Sequence, residues 1–209
     1  MRTATRILLA AALAASAAGA RAQDAAPTLQ EDPRAAKFKD VERGIFVGFE
    51  LGALGFMKTT AQDPNKYPYA QGGGGASGGL MVGANAGVDL GSRFALSAFF
   101  MGGSQQASVN YGAFSVYVLG LDGRFAFLSL RDRNGYERFY LYAHARAGFG
   151  RTYPAGLFGD RETYLAAGPG IEYFTHLRHF SIGLAADLAY AMKAKTGGYA
   201  IYPTVRYTF

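Results

Sequence analysis

Few side chains in this 209-residue chain could do chemistry. There is no cysteine, so disulfides, thiolate nucleophiles, Cys-based metal sites and a lipidated N-terminal cysteine are excluded. The histidines are His144, His176 and His179. An i, i+3 pair such as His176 and His179 can share a metal on a helix. The segment Thr175-His176-Leu177-Arg178-His179 instead reads as a short turn between strands, which does not impose that geometry. His144 lies in the middle of an alternating run, and no nucleophile–base pair is suggested near it or at a loop rim. The stretch from Gly72 to Gly79 lacks the Lys-Ser/Thr pair and the strand–helix setting of a phosphate loop. The chain is therefore expected to be non-enzymatic, with no catalytic residue, metal or cofactor.

What remains is a set of charged and polar residues that period-two counting puts on one side of successive runs. They are Glu50, Asn85, Asp89, Asp122, Arg124, His144, Arg146, Glu162, Glu172, Asp187 and Arg206. Both signs are present. If these residues point into a narrow interior, an ion-pair network is the arrangement that satisfies them, because unpaired buried charge is costly. No specific spacing supports a proton or ion path.

The elements that must position these residues begin at Ile45. Eight alternating runs lie near 45–57, 80–90, 93–102, 114–128, 139–150, 161–174, 178–192 and 199–209. In the first, Ile45, Val47, Phe49 and Leu51 oppose Phe46, Gly48, Glu50 and Gly52. In the fifth, Phe139, Leu141, Ala143, Ala145 and Phe149 oppose Tyr140, Tyr142, His144, Arg146 and Gly148. One face is continuously apolar; the other is small, polar or charged.

Periodicity alone does not say which face is inside. A soluble lipocalin-like barrel would bury the apolar one. Three features favour the reverse. The runs are long enough to cross a bilayer at a tilt of about 45°. The polar face is crowded with Gly and Ala, as a narrow lumen requires. Aromatics fall at the run ends as interface girdles: Phe46, Phe56, Phe127, Phe139, Phe149, Tyr173, Phe180, Tyr190, Tyr199 and Tyr207. The expected fold is all-β, an eight-stranded antiparallel transmembrane β-barrel of the OmpA/OmpX-like kind.

The termini agree with export. Arg2 and Arg6 precede the apolar stretch 7–18, and Ala20-Arg21-Ala22 offers a small-x-small cleavage site. Residues 1–22 are thus expected to be a signal peptide, 23–44 a polar periplasmic leader and 45–209 the barrel. Cleavage after Ala22 would remove Arg2, Arg6 and Arg21 and lower the net charge from +6 to +3, which makes no case for nucleic acid. At the other end Val205, Tyr207 and Phe209 alternate up to the final residue. That pattern resembles the terminal strand by which outer-membrane insertion machinery reads its clients. Outer-membrane lipid and that machinery are the expected partners.

An even strand count puts both termini on the periplasmic side. Links at 91–92, 129–138 and 175–177 are then periplasmic turns, with Asn134-Gly135 a tight-turn dipeptide. Links at 58–79, 103–113, 151–160 and 193–198 face out. Pro169 inside the sixth run implies a bulge or a break in the ladder.

Two stretches are more specific. Phe38-Lys39-Asp40-Val41-Glu42-Arg43-Gly44-Ile45-Phe46 leads into the first run, and Ala167-Gly168-Pro169-Gly170-Ile171-Glu172-Tyr173-Phe174-Thr175-His176-Leu177-Arg178-His179-Phe180-Ser181-Ile182-Gly183-Leu184 forms the penultimate hairpin. Both resemble the adventurous gliding motility proteins of the CglE type. The resemblance implies a non-enzymatic envelope component of gliding, with other envelope motility proteins as partners. It supplies no catalytic residue to carry over.

Overall fold

The computed structural model describes residues 41–57, 77–106, 113–133, 135–153, 161–177 and 179–209. The expected signal peptide 1–22, most of the expected leader 23–44, much of the expected outward links and Asn134 lie outside the described residues.

Eight strands run in chain order: β1 Ile45–Phe56, β2 Ser77–Leu90, β3 Phe94–Gln106, β4 Ala113–Arg131, β5 Glu137–Tyr153, β6 Glu162–Phe174, β7 Phe180–Ala191 and β8 Thr196–Thr208. Each pairs antiparallel with the next, and β8 closes on β1. Closure gives each strand a partner on both sides and leaves no open sheet edge, which a barrel in lipid requires. We call the end where β1 starts and β8 ends the terminal rim and the other the loop rim.

The alternation read from the sequence is the alternation of the wall. Ile45, Phe49, Leu80, Leu119, Leu121, Phe149, Ile182 and Leu188 face outward and are exposed. The outward positions of 45–53, 80–90, 94–102, 117–130, 139–149, 163–173, 180–190 and 197–209 hold no Asp, Glu, Lys, Arg or His. A solvated surface of that size would carry charge; a lipid-facing band does not.

Inward positions are small where the wall must approach itself. Gly120 and Gly148 are cross-strand partners on β4 and β5. A Cβ on Gly120 would collide with the backbone of Ala147 and Gly148. Gly135 (φ 84°) makes the β4–β5 turn, where Asp132 N–H donates to Tyr136 O at 2.8 Å and Gly135 N–H to Asp132 O at 3.0 Å.

Several boundaries differ from expectation. The terminal turn expected over 129–138 is only 132–136, because β4 runs to Arg131 and β5 starts at Glu137. Gly78 and Gly79 belong to β2 and not to the first outward link. Register slips at Ala126/Leu128, so Phe127 is an extra residue and both Phe127 and Leu128 face out. At Pro169 the β6–β7 ladder skips two residues and resumes in the same register, Ala167↔Leu188 and then Gly170↔Ala185. It is a break without a bulge, as a residue with no N–H produces.

The aromatic assignment needs correcting at two places. Phe46 and Phe56 point into the lumen, 4% and 0% exposed. Strand-end position alone suggested a girdle, but their parity is that of Glu50. Tyr207 does face out, edge-on to Phe180 (ring centroids 5.1 Å) and to Phe209 (5.0 Å), so the terminal residues Val205, Tyr207 and Phe209 form part of the external apolar band.

Candidate functional site

The interior is layered. Next to the loop rim it is apolar: Phe56, Met81, Met101, Phe114, Val118 and Tyr164 fill it, each 2% exposed or less. Below that layer, toward the terminal rim, lie the charges.

Arg146 on β5 is the hub. Its guanidinium forks onto Glu50 of β1, Nη1 to Oε2 at 3.0 Å and Nη2 to Oε1 at 2.5 Å. Its Nε–H reaches Asp122 Oδ2 of β4 at 3.3 Å. The rings of Phe99 and Tyr202 lie 4.9 and 4.8 Å from its Cζ, covering the cation with aromatic faces. Asn85 donates to Glu50 Oε1 at 2.8 Å. His144 lies between two acids, Nδ1 3.3 Å from Asp122 Oδ1 and Nε2 2.7 Å from Asp187 Oδ1. Tyr202 Oη donates to Asp187 Oδ2 at 3.0 Å.

A second group sits nearer the terminal rim. Arg124 Nη2 pairs with Glu172 Oε2 at 3.0 Å beneath the Tyr142 ring. Arg206 bridges Glu172 (3.6 Å) and Asp89, with Phe46 against its guanidinium at 3.6 Å. Ser181 Oγ–H donates to Glu172 Oε1 at 2.7 Å. Bidentate, charge-assisted geometry of this kind is what makes buried charge tolerable.

The structure therefore places nine of these residues in the lumen in two contacting groups, Glu50, Asp122, His144, Arg146 and Asp187 in one and Asp89, Arg124, Glu172 and Arg206 in the other. Glu162 differs. It is inward and 2% exposed, but at the loop rim, where its carboxylate accepts the backbone N–H groups of Lys193 (2.6 Å) and Ala194 (3.0 Å). It caps the β7–β8 turn and is not part of the ion-pair network. Strand parity gave its face but not its height in the barrel.

Sequence reasoning missed the apolar layer. It also missed a polar seal at the terminal rim. Arg138 donates to Asp132 Oδ2 at 2.9 Å and to Thr175 O at 3.0 Å. The last residues of the expected leader dock there too: Glu42 pairs with His179 at 2.5 Å, and Arg43 lies over Tyr140 (4.7 Å) and Phe174 (5.3 Å). The acid–base order Asp132, Glu137, Arg138 was the available signal.

Between the two charged groups is a polar cavity of about 40 Å³, lined by Glu50, Asp122, Arg124, His144, Arg146 and Arg206 among others. It has room for a few waters at about 10–15 Å³ each and for no organic substrate. The arrangement can hold protons and water in place.

Among solved structures, the chain is similar to the crystal structure of Neisserial surface protein A. The TM-score is 0.58 and identity 13%, covering 79% of this chain and 97% of that one. The fold is that of a small outer-membrane barrel. Ail, the attachment invasion locus protein of Yersinia pestis, is a weaker likeness, with a TM-score of 0.43 and 15% identity over 79% of this chain and all (100%) of that one. No protein-family profile and no curated protein matches the chain.

An outer-membrane-type barrel of eight strands is filled by its own side chains, and here the apolar layer from Phe56 to Tyr164 closes the lumen above the charged groups and their small cavity. Purified protein in planar bilayers is accordingly expected to give no steady conductance. Stable stepwise currents would show that the apolar layer opens.

Proposed function

We propose that this chain is a non-enzymatic outer-membrane barrel that serves gliding motility as an adhesive or anchoring component of the envelope machine. The observation that carries the membrane part is the charge-free outward band around a sealed interior. Such a protein acts through its rims and loops, not its lumen.

The motility part rests on the resemblance of 38–46 and 167–184 to the gliding proteins. One feature of the fold supports it. The two stretches meet at the terminal rim, through Glu42 with His179 and Arg43 over Phe174. They make one surface facing the periplasm, where a motility complex would dock. A general structural barrel with no motility role is the second reading. The sealed interior weighs against a solute channel.

Two measurements test the parts separately. Fractionation with boiled and unboiled gel samples should show a heat-modifiable band in the outer membrane; a soluble periplasmic protein with no shift would sink the membrane reading. Deleting the gene should impair single-cell gliding. Intact gliding would leave only the structural barrel.

A further inference from the structure

We propose that the outer face of β4–β6 holds one lipid with an anionic phosphate headgroup, its phosphate on Arg151 and Arg161 and its chain in the groove below them. This goes beyond the proposed function but rests on its membrane part.

A groove of about 370 Å³ lies on the barrel exterior, lined by Phe100, Tyr117, Leu119, Phe149, Arg151 and Arg161 among others. Phe100 and Tyr117 stack (centroids 6.3 Å, interplanar 17°) and form its wall. The Tyr117 ring lies over its cross-strand partner Gly102, which has no side chain to displace it. The floor is part of the charge-free band. The mouth is at the loop rim, and there the chemistry changes sharply.

Tyr117 pairs with Arg151 across β4–β5. Continuing the Gly150↔Glu162 register by one residue sets Arg161 beside Arg151. Arg151 on β5 and Arg161, in the bend just before β6, are thus neighbours and both exposed, an unfavourable placement for two guanidiniums unless an anion lies between them. Among the described residues neither has an acidic partner. The terminal rim is different: Arg131 pairs with Glu137 (3.7 Å) and Arg138 with Asp132 (2.9 Å). Glu162, next to Arg161 in the chain, is turned inward onto backbone N–H groups and does not neutralise the pair. Lys193, exposed on the adjoining turn, adds to the same positive edge.

Two arginines with no acidic partner among the described residues, at the mouth of an apolar groove, match an anionic phosphate over an acyl chain. The site lies at the level where headgroups of the loop-side leaflet meet the hydrocarbon.

The test uses the full chain isolated from membranes in detergent. Native mass spectrometry would follow retention of dimyristoyl phosphatidic acid against dimyristoyl phosphatidylcholine, which has the same chains and no net charge. One phosphatidic acid per barrel should be retained preferentially. The Arg151→Gln/Arg161→Gln double variant should weaken that retention about 30-fold, at the usual strength of two basic groups near a headgroup. Arg161→Gln alone, which precedes β6 and disturbs no ladder, should weaken it about fivefold. Equal retention of the two lipids, or variants that retain phosphatidic acid like the parent, would overturn the inference while a heat-modifiable band kept the barrel reading intact. Loss of that band in the parent protein would instead sink the membrane reading.

Discussion

Arg146→Met is expected to lower the unfolding free energy of the barrel by about 3–5 kcal/mol, the usual cost of stranding a buried charge. The side chains of Arg146 and Glu50 are 3% and 1% exposed, so neither can turn to water when the other is removed. The substitution leaves the Glu50 carboxylate with only Asn85 among the described residues and takes the Arg146 Nε–H bond from Asp122. Removing both partners, as in Glu50→Met/Arg146→Met, should cost less than the sum of the two single changes. An apolar pair of similar volume leaves no uncompensated ion on that bond. Urea unfolding in lipid vesicles reads both numbers. A loss below about 1 kcal/mol for Arg146→Met, the range of a solvated ion pair, would mean that water reaches the cluster.

Leu121→Arg carries the second large effect. Leu121 is 59% exposed in the middle of β4, between Ala98 and Ala147 on the neighbouring strands. On a soluble protein an exposed leucine far from any special contact tolerates such a change within about 0.5 kcal/mol. On a lipid-facing wall near the bilayer midplane the cost is about 2–4 kcal/mol. Tyr153→Arg, at the loop-rim end of β5 where the residue is 74% exposed, is the control and should cost about 1 kcal/mol or less. Equal costs at the two positions would mean that the apolar face is not against lipid.

Both predictions depend on how far period two can be trusted. It worked well for faces, because one step along a pleated strand necessarily reverses the side chain. Glu50, Asp122, His144 and Asp187 could be assigned inward from their neighbours alone. It could not say who meets whom. Arg146 and Glu50 are 96 residues apart, and their contact depends on the stagger of the closed wall, which no local pattern encodes. Period two also fails where both faces are apolar. Around Leu54-Gly55-Phe56 and Val116-Tyr117-Val118 the inward residues are as hydrophobic as the outward ones, so the apolar layer left no signal. Phe46 and Phe56 were misassigned for a related reason: aromatic character at a strand end suggested a membrane interface, while parity turned each ring inward to cover a guanidinium or pack the plug. The slip at Phe127 was invisible because one extra apolar residue among Phe125, Phe127, Leu128 and Leu130 leaves the run still reading as apolar.

The unequal strand lengths have a mechanical consequence. β4 has 19 residues and β5 has 17, against 12 in β1 and in β7. At about 3.4 Å per residue, β4 carries roughly 20 Å more strand than β1. The barrel is therefore lopsided, with one tall wall standing beyond a shorter collar. A force applied along that wall is carried by the β4–β5 ladder, which keeps one register from Ser115↔Tyr153 to Ala126↔Tyr142 and slips only near the terminal rim, so the loop-rim part of the hairpin is the stiff strut and the give lies at its other end.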